Sequence, residues 1–308
     1  LERPLEEYRC RIVSQTEIFF HCFREQIVGI TGTKGKSTTT SLLYHLLKNA
    51  GMDTVLAGNI GIPVFDLMEE IVPETKIVCE LSCHQLEYMT VSPHIAILSN
   101  IHEEHLDHYG TMEKYVAAKE KIFSNQKQGD ILFCNVQCLP KPGSCVSRIV
   151  TVCGDGSGAD IELSEEEGQA FVLAGGQRYR IPSDEIRLLG THNYFNIGIA
   201  YGVCRYLGMS ESLFTEGLMS YEPLPHRLQF LGEREGVRYY DDSISTICDT
   251  TIQALKTLPD TDSILIGGMD RGIDYRELIQ FLSQWDVPHI ILMEATGKRI
   301  FHEIEQDY

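Results

Sequence analysis

The sequence predicts an α/β protein in which a central parallel sheet, carrying a small antiparallel insert, is followed by a second α/β unit. Apolar runs of strand length alternate with stretches of helical periodicity, a pattern typical of a parallel sheet with helices on both faces. A glycine-rich segment joins the first apolar run to a helical stretch. Short alternating runs around a Gly-Gly pair within 154–182 predict the antiparallel insert.

A phosphate-binding loop is predicted directly after the first strand, which we place at 27–30. Gly32 and Gly35 allow a tight turn that points backbone N–H groups inward, and the helix that follows adds partial positive charge at its N-terminus. Lys36 is suited to the outer phosphates of a nucleotide, and the Ser37 hydroxyl is suited to Mg²⁺. The loop differs from the pattern G-x-x-x-x-G-K-[ST], because an isoleucine stands at the first glycine position. Gly-Lys-Ser between a strand and a helix still favours phosphate binding over an ordinary turn.

Polar residues follow the other predicted strands, which lie at 54–57, 76–81, 94–100 and 130–134. Asn59 follows the second strand, Glu80 lies at the end of the third, and Asn100 ends the fourth. In a parallel sheet, ligands bind beyond the carboxyl ends of the strands. Each residue alone could be a helix cap or a solvated turn, but together they indicate a metal–nucleotide site. Glu80 offers the hard oxygen ligand that Mg²⁺ prefers.

Histidines at 102, 105 and 108 raise the question of zinc. The segment is predicted to be a loop between a strand and a helix, and the sequence offers no matching set of cysteines or histidines. The pattern therefore does not favour a zinc site.

Lys119 is predicted to face inward from a helix that Thr111 caps and that ends near Phe123. Its apolar stripe contains Met112, Tyr115, Val116, Ile122 and Phe123. A lysine on such a stripe is either snorkelling at the helix edge or buried, and a buried lysine needs a partner or a chemical change.

A second α/β unit begins near Pro223 and Pro225, and a helix is predicted before it at 193–206. We therefore place the domains at 1–23, 24–222 and 223–308. In the last of these, strands are predicted at 237–240, 263–266 and 289–292, and helices near 249–257 and 275–284.

The composition excludes several function classes. The net charge of −18 argues against a nucleic acid or an anionic membrane as the main partner. We find no apolar run long enough to cross a bilayer and no secretory signal. The ten cysteines lack the paired C-x-x-C spacing of a zinc ribbon, so they are predicted to be free thiols of a cytoplasmic protein.

Together these residues resemble the Mur ligase family, and most closely its members that add glutamate to UDP-N-acetylmuramoyl-L-alanine. The resemblance covers nearly the whole chain, and its motifs stand in the family's order. They are Gly-Thr-Lys-Gly-Lys-Ser-Thr at 32–38, Gly-Asn-Ile-Gly at 58–61, Glu-Leu-Ser-Cys-His-Gln-Leu-Glu at 80–87, Glu-His-Leu-Asp at 104–107, Ala-Ala-Lys at 117–119, Gly-Thr-His-Asn-Tyr-Phe-Asn at 190–196, Leu-Pro-His-Arg-Leu at 224–228, Asp-Asp-Ser at 241–243 and Gly-Gly-Met-Asp-Arg-Gly at 267–272.

The resemblance implies a monomeric, ATP- and Mg²⁺-dependent ligase of peptidoglycan precursor synthesis, with UDP-N-acetylmuramoyl-L-alanine and glutamate as substrates. ATP would phosphorylate the terminal carboxylate, the amine of glutamate would attack the acyl phosphate, and phosphate would leave. The resemblance makes 1–23 the remnant of a UDP-binding domain and 24–222 the central P-loop ATPase domain. It makes 223–308 an incomplete, Rossmann-like domain for the amino acid, so the chain is expected to be part of a longer enzyme.

The family's functional residues carry over position by position. Lys36, Glu80, His105 and Lys119 would be catalytic, and Lys119 matches the lysine that is carbamylated in the family. The expected Mg²⁺ ligands are Ser37, Glu80, His105 and Lys119. The nucleotide would be bound by Gly32, Thr33, Lys34, Gly35, Lys36, Ser37 and Thr38, with Asn196, Arg227 and Asp242 at adenine, phosphate and ribose. The muramoyl substrate would contact Asn59, Ser82 and Gln85.

Two departures from the family pattern limit this carry-over. Ile244 stands where a lysine often follows Asp-Ser, which leaves open whether the glutamate is D or L. Glu104 replaces the usual aspartate before His105. The alternatives are a folylpolyglutamate synthase, which the 80–87 motif fits poorly, the zinc-ribbon relative MurT, and a non-catalytic nucleotide-binding module, which would not need a second metal site.

Overall fold

The computed structural model describes residues 13–154, 156, 158–270 and 272–307. The chain forms two compact units: one contains the residues up to Leu188 together with Asn193–Glu222, and the other contains Leu189–His192 together with the residues from Pro223 onward. Residues 1–12 of the predicted segment 1–23, and Arg271 of the 267–272 motif, lie outside the described residues. Among the helices that are described, none is long and apolar enough to cross a bilayer.

A nine-stranded sheet forms the centre of the first unit, in the order β2-β3-β1-β4-β5-β6-β7-β8-β9. Neighbouring strands from β2 to β7 are parallel, whereas β8 and β9 are antiparallel additions to one edge. The strands are β1 (Ile27–Thr31), β2 (Thr54–Gly58), β3 (Lys76–Glu80), β4 (Ile95–Leu98), β5 (Ile131–Asn135), β6 (Arg148–Cys153), β7 (Ile161–Glu166), β8 (Gln169–Ala174) and β9 (Gln177–Arg180).

The predicted strands are confirmed with small changes at their ends, and the predicted antiparallel insert within 154–182 is confirmed as β7–β9. The insert extends the main sheet, because β7 pairs with β6. The strand predicted at 94–100 is shorter than expected, because Ser99 and Asn100 leave the sheet and bond to the glycine loop.

In the described part of the chain, seven helices belong mainly to this unit, and short 3₁₀ turns occur at Arg24–Gln26 and Val136–Cys138. The helices are α1 (Gln15–Phe23), α2 (Lys36–Asn49), α3 (Cys83–Leu86), α4 (Leu106–Tyr109), α5 (Met112–Ser124), α6 (His192–Tyr206) and α7 (Glu211–Ser220).

Helices cover both faces of the sheet, as predicted. Val28 and Ile30 of β1 pack in one apolar core with buried residues of α2, α6 and α7. Ile27 points to the other face and packs in a second core with residues of α1 and α5. This alternation along one strand places the two cores on opposite sides of the sheet.

Among the residues that the structure describes, the second unit has two small sheets and three helices. β10 (Gln229–Arg234) and β11 (Val237–Asp241) form an antiparallel hairpin, and β12 (Ser263–Gly267) pairs in parallel with β13 (His289–Met293). The helices are α8 (Cys248–Thr257), α9 (Arg276–Leu282) and α10 (Glu294–Asp307). They share one core, to which each helix and β12 contribute buried apolar side chains.

Candidate active site

The glycine loop connects β1 to α2 and is fixed by close contacts. Gly35, the N-cap of α2, has a positive φ of 75°, and a Cβ on it would lie 2.6 Å from Asn196 Oδ1. A Cβ on Gly32 would lie 2.0 Å from Ser99 Oγ. Asn100, two residues beyond the end of β4, holds the loop: its Oδ1 accepts hydrogen bonds from the backbone N–H groups of Thr33 (3.0 Å) and Lys34 (2.8 Å). The two glycines therefore allow the loop backbone to lie close to its neighbours, and a larger residue at either position would displace the loop.

Two lysine amines lie against this loop. Lys36 Nζ donates to the carbonyl of Thr33 at 2.9 Å, and Lys119 Nζ donates to the carbonyl of Gly32 at 2.7 Å. Lys119 is only 1% exposed, which confirms the prediction that it faces inward from α5. Burial, and secondly the charge of Lys36, lowers the pKa of Lys119 to about 8. A neutral amine, the form that reacts with carbon dioxide, is therefore more accessible here than for an exposed lysine.

Glu80 lies at the same edge of the sheet, paired in register with Ile30 and Gly58. Glu80 is 1% exposed, and its Oε1 accepts a hydrogen bond from Asn59 Nδ2 at 2.9 Å. Its Oε2 is buried and has no hydrogen-bond partner. A buried, unpartnered carboxylate oxygen is costly for a protein unless a ligand uses it. A hard cation such as Mg²⁺ fits this oxygen.

His105 is the N-cap of α4 and has a positive φ of 58°, which is unusual for a residue with a side chain. Its ring is partly exposed, with Glu104 Oε2 3.7 Å from Nε2 and the His84 ring 5.2 Å away between centroids. The turn thus presents an imidazole at the surface beside α3.

Ser82 and Gln85, the predicted substrate residues, form a capping box at the start of α3. Ser82 Oγ accepts from the backbone N–H of Gln85 (3.2 Å), and Gln85 Oε1 accepts from the backbone N–H of Ser82 (2.9 Å). Their arrangement has a structural cause, the satisfaction of free N–H groups in the first turn. The substrate role of both residues stays a prediction.

The predicted adenine, phosphate and ribose residues lie in different units. In the first, the amide of buried Asn196 accepts from Thr39 Oγ1 (3.1 Å) and donates to Asn193 Oδ1 (2.8 Å). In the second, Asp242 Oδ1 accepts from the backbone N–H of Leu228 at 2.8 Å. Burial raises the pKa of Asp242, and the charge of Arg227 is among the effects that oppose this.

Sequence reasoning overlooked a ring cluster around His84. The rings of His105, His108 and Tyr109 lie within 6 Å of the His84 ring between centroids. His84 and His108 are far apart in the chain, so their spacing carried no signal; histidine inside the 80–87 motif was the available clue.

The cysteine prediction is confirmed for the described residues, whose cysteines are all free thiols; Cys10 lies outside them. In the described part of the chain, no group of candidate metal ligands contains more than one cysteine.

Comparisons with known proteins identify relatives along the whole chain. The sequence profile of the Mur ligase middle domain matches residues 30–204. The UDP-N-acetylmuramoylalanine–D-glutamate ligase of Symbiobacterium thermophilum is 34% identical over 282 residues, which cover 90% of this chain and 62% of that protein. The enzyme of the same name from Trichlorobacter lovleyi is 33% identical over 316 residues, covering 99% of this chain and 68% of that protein. The chain spans a little under two thirds of the length of the first of these relatives.

Solved structures agree on the fold. The MurF ligase of Thermotoga maritima in complex with ADP superposes with a TM-score of 0.73 at 22% identity, over 92% of this chain and 70% of that one. UDP-N-acetylmuramate-alanine ligase MurC from the same organism gives a TM-score of 0.69 at 19% identity, over 94% and 67% of the two chains.

Proposed function

Because the chain belongs to the Mur ligase family, we propose that it is part of an ATP-dependent ligase that adds D-glutamate to UDP-N-acetylmuramoyl-L-alanine. The observation that carries the proposal is the buried Glu80 carboxylate, whose unpartnered oxygen lies at the same sheet edge as the glycine loop. The names of the relatives at 33–34% identity support D-glutamate as the amino acid. We assign the ATP-binding domain to 24–222 and amino-acid binding to the domain from 223 onward.

The nucleotide phosphates would lie against the loop at 32–38. Its backbone N–H groups and the N-terminus of α2 favour negative charge, and the ammonium group of Lys36 would contact the phosphate oxygens. In the structure Lys36 Nζ is held by the Thr33 carbonyl, so phosphate oxygens would replace one neutral acceptor. The loop thereby positions the terminal phosphate for transfer to a carboxylate, as the family reaction requires.

Four residues would hold Mg²⁺: Ser37, Glu80, His105 and Lys119. The ion would supply charge neutralisation on the transferring phosphate. Glu80 and Ser37 offer oxygen ligands in the present structure. Lys119 offers one only after its amine has been carbamylated, because an ammonium repels a cation and donates hydrogen bonds alone.

Amino-acid specificity gives the experiment for this proposal. The full-length protein, supplied with ATP, Mg²⁺ and UDP-N-acetylmuramoyl-L-alanine, should incorporate labelled D-glutamate into a UDP-linked product and should incorporate L-glutamate far more slowly. Equal incorporation of both enantiomers, or incorporation of neither with ATP hydrolysed, would contradict the proposed substrate assignment.

A further inference from the structure

We propose that His84, Glu87 and His108 form a binding site for a divalent transition-metal ion of the zinc class. None of these three residues is a predicted Mg²⁺ ligand, but His84 lies beside one of those ligands, His105. The proposal goes beyond the ligase activity. His84 lies in α3, Glu87 follows it directly, and His108 lies in α4. One ligand atom of each residue lies within 4.8 Å of the other two, so a single ion could contact all three after small side-chain adjustments.

The contacts among these three residues already bring their ligand atoms close together. His108 Nε2 and Glu87 Oε2 are 3.3 Å apart. The rings of His84 and His108 are 4.6 Å apart between centroids and meet at 86°, edge to face. His84 and Glu87 are three residues apart around a helical turn, which places both side chains on one side of it. Two segments remote in sequence thus direct three metal-binding groups to one point.

Buried neighbours hold this arrangement in place. Tyr109, which is 5% exposed, stacks on His84 at 5.7 Å with an interplanar angle of 12°. Its hydroxyl lies 3.5 Å from His84 Nδ1. Buried Cys83 and Leu86 anchor α3 from the other side. A group beside the ring that fixes its orientation is a regular feature around metal-bound histidines.

The donor set selects the class of metal. Two imidazoles with one carboxylate form a set that zinc uses in proteins, with a further position left open to water. Mg²⁺ prefers oxygen ligands and keeps much of its hydration, so it has little reason to choose two nitrogens. His84 and His108 are exposed, which gives an ion direct access from solvent.

Two simpler arrangements use some of the same residues. The first is a surface ion pair of His108 with Glu87, which contributes little by itself. The pair His289–Asp262 in the second unit has the same 3.3 Å separation, yet among the described residues it belongs to no group of three metal ligands.

The second arrangement is the neighbouring group of Cys83, His84 and His105, which shares His84. It requires His105, which is already assigned to Mg²⁺.

The test is calorimetric titration of the metal-free protein with Zn²⁺. We expect binding of a single ion that His84→Ala, Glu87→Gln and His108→Ala each weaken by more than about tenfold, the smaller of the losses known for groups that merely orient a metal ligand. His289→Ala is the matched control, since it removes an exposed histidine with the same carboxylate separation, and it should leave Zn²⁺ affinity unchanged. Zn²⁺ should also raise the unfolding temperature of the wild type more than that of the three variants.

The result that would overturn the proposal is equally specific. Affinity that falls in His289→Ala as much as in His108→Ala would show scattered surface binding. Loss of binding in Cys83→Ser with retention in Glu87→Gln would assign the ion to the neighbouring group instead. Absence of Zn²⁺ binding in the folded wild-type protein would exclude the site altogether.

Discussion

Lys119 is a buried lysine beside a second lysine, an arrangement that costs free energy as long as both amines are charged. Its amine makes one hydrogen bond, to the Gly32 carbonyl, and lies 4.9 Å from the centre of the Tyr115 ring. Neither contact supplies a negative charge. Carbamylation would replace the cation by an anionic oxygen ligand and would remove the repulsion from Lys36 and from a nearby metal ion.

Replacement of Lys119 should therefore abolish most ligase activity. We expect Lys119→Ala to lower kcat by about 100-fold or more, the loss found when one group that stabilises the transition state electrostatically is removed. Acetate or formate should restore part of the rate by filling the vacated space with a carboxylate. Wild-type turnover in Lys119→Ala, measured as ATP-dependent phosphate release, would refute the assigned role.

The lowered pKa of Lys119 also predicts a pH dependence of stability in buffer free of carbon dioxide. The folded pKa is about 8, whereas a lysine in an unfolded chain has a pKa of about 10.4. Between these values the unfolded state binds more protons at this lysine, so the contribution of Lys119 to the free energy of unfolding should rise with pH, by at most about 1.4 kcal/mol per pH unit. Buried thiols and phenols such as Cys79 and Tyr115, whose pKa values are raised by burial, contribute in the opposite direction. The free energy of unfolding of the wild type should therefore rise relative to that of Lys119→Met across this pH range. Equal slopes for both proteins in denaturant unfolding would show that Lys119 titrates normally.

Glu80 gives a separate prediction, because its role in binding a metal can be distinguished from a role in folding. Glu80→Gln keeps the shape and an acceptor for Asn59 but removes the charge. Mg²⁺-dependent ATP turnover should fall strongly, while the free energy of unfolding without Mg²⁺ should change by less than about 1 kcal/mol, since loss of the buried charge offsets the cost of the amide N–H groups that replace the unpartnered oxygen. A loss of several kcal/mol would indicate that the carboxylate holds the fold instead.

At the scale of elements, the two ends of α2 provide a matched pair of glycines. Gly35 and Gly51 have nearly the same φ, 75° and 76°, but a Cβ on Gly35 would press on Asn196, whereas a Cβ on Gly51 would meet nothing within 4 Å. Each change to alanine should cost about 1 kcal/mol or more from backbone strain. Gly35→Ala should in addition weaken ATP binding, and Gly51→Ala should not. Equal ATP affinity in the two variants would argue against the loop as the phosphate site.

The sequence predicted the elements whose signals are local and could not predict those that depend on tertiary contacts. The β1–loop–α2 unit combines an apolar run, glycines and helical spacing, and its strand, predicted at 27–30, was found within one residue of its bounds. Helix α10 was missed because it is mostly polar and contains Gly297. That glycine is explained only by packing, since a Cβ there would lie 2.7 Å from the Leu292 carbonyl carbon.

The same distinction holds within the candidate site. Inward burial of Lys119 followed from the apolar stripe of α5, a periodic signal. That Oε2 of Glu80 lacks a partner depends on a tertiary contact, because Asn59 donates to Oε1 only. The approach of His84 to His108 is a tertiary contact between α3 and α4, and no pattern in the sequence predicts this contact.

At the scale of the whole molecule, a net charge of −18 has to be reconciled with the proposed binding of an anionic nucleotide. The groups that favour negative charge lie together, where backbone N–H groups, a helix N-terminus and Lys36 meet at the carboxyl edge of the nine-stranded sheet. Attraction of this kind is local and remains effective in an acidic protein. The central claim is that this edge performs ATP-dependent ligation.

The measurement that tests this claim most directly is substrate-dependent phosphate release by the full-length protein. It compares the wild type with the variants Lys36→Ala and Lys48→Ala. Both lysines lie on α2, Lys36 at its first residue beside the loop and Lys48 exposed in its last turn. We predict that phosphate release requires ATP, Mg²⁺, UDP-N-acetylmuramoyl-L-alanine and D-glutamate. Lys36→Ala should abolish this release, and Lys48→Ala should retain the wild-type rate. Wild-type release in Lys36→Ala, or release that ignores the substrates, would contradict the account.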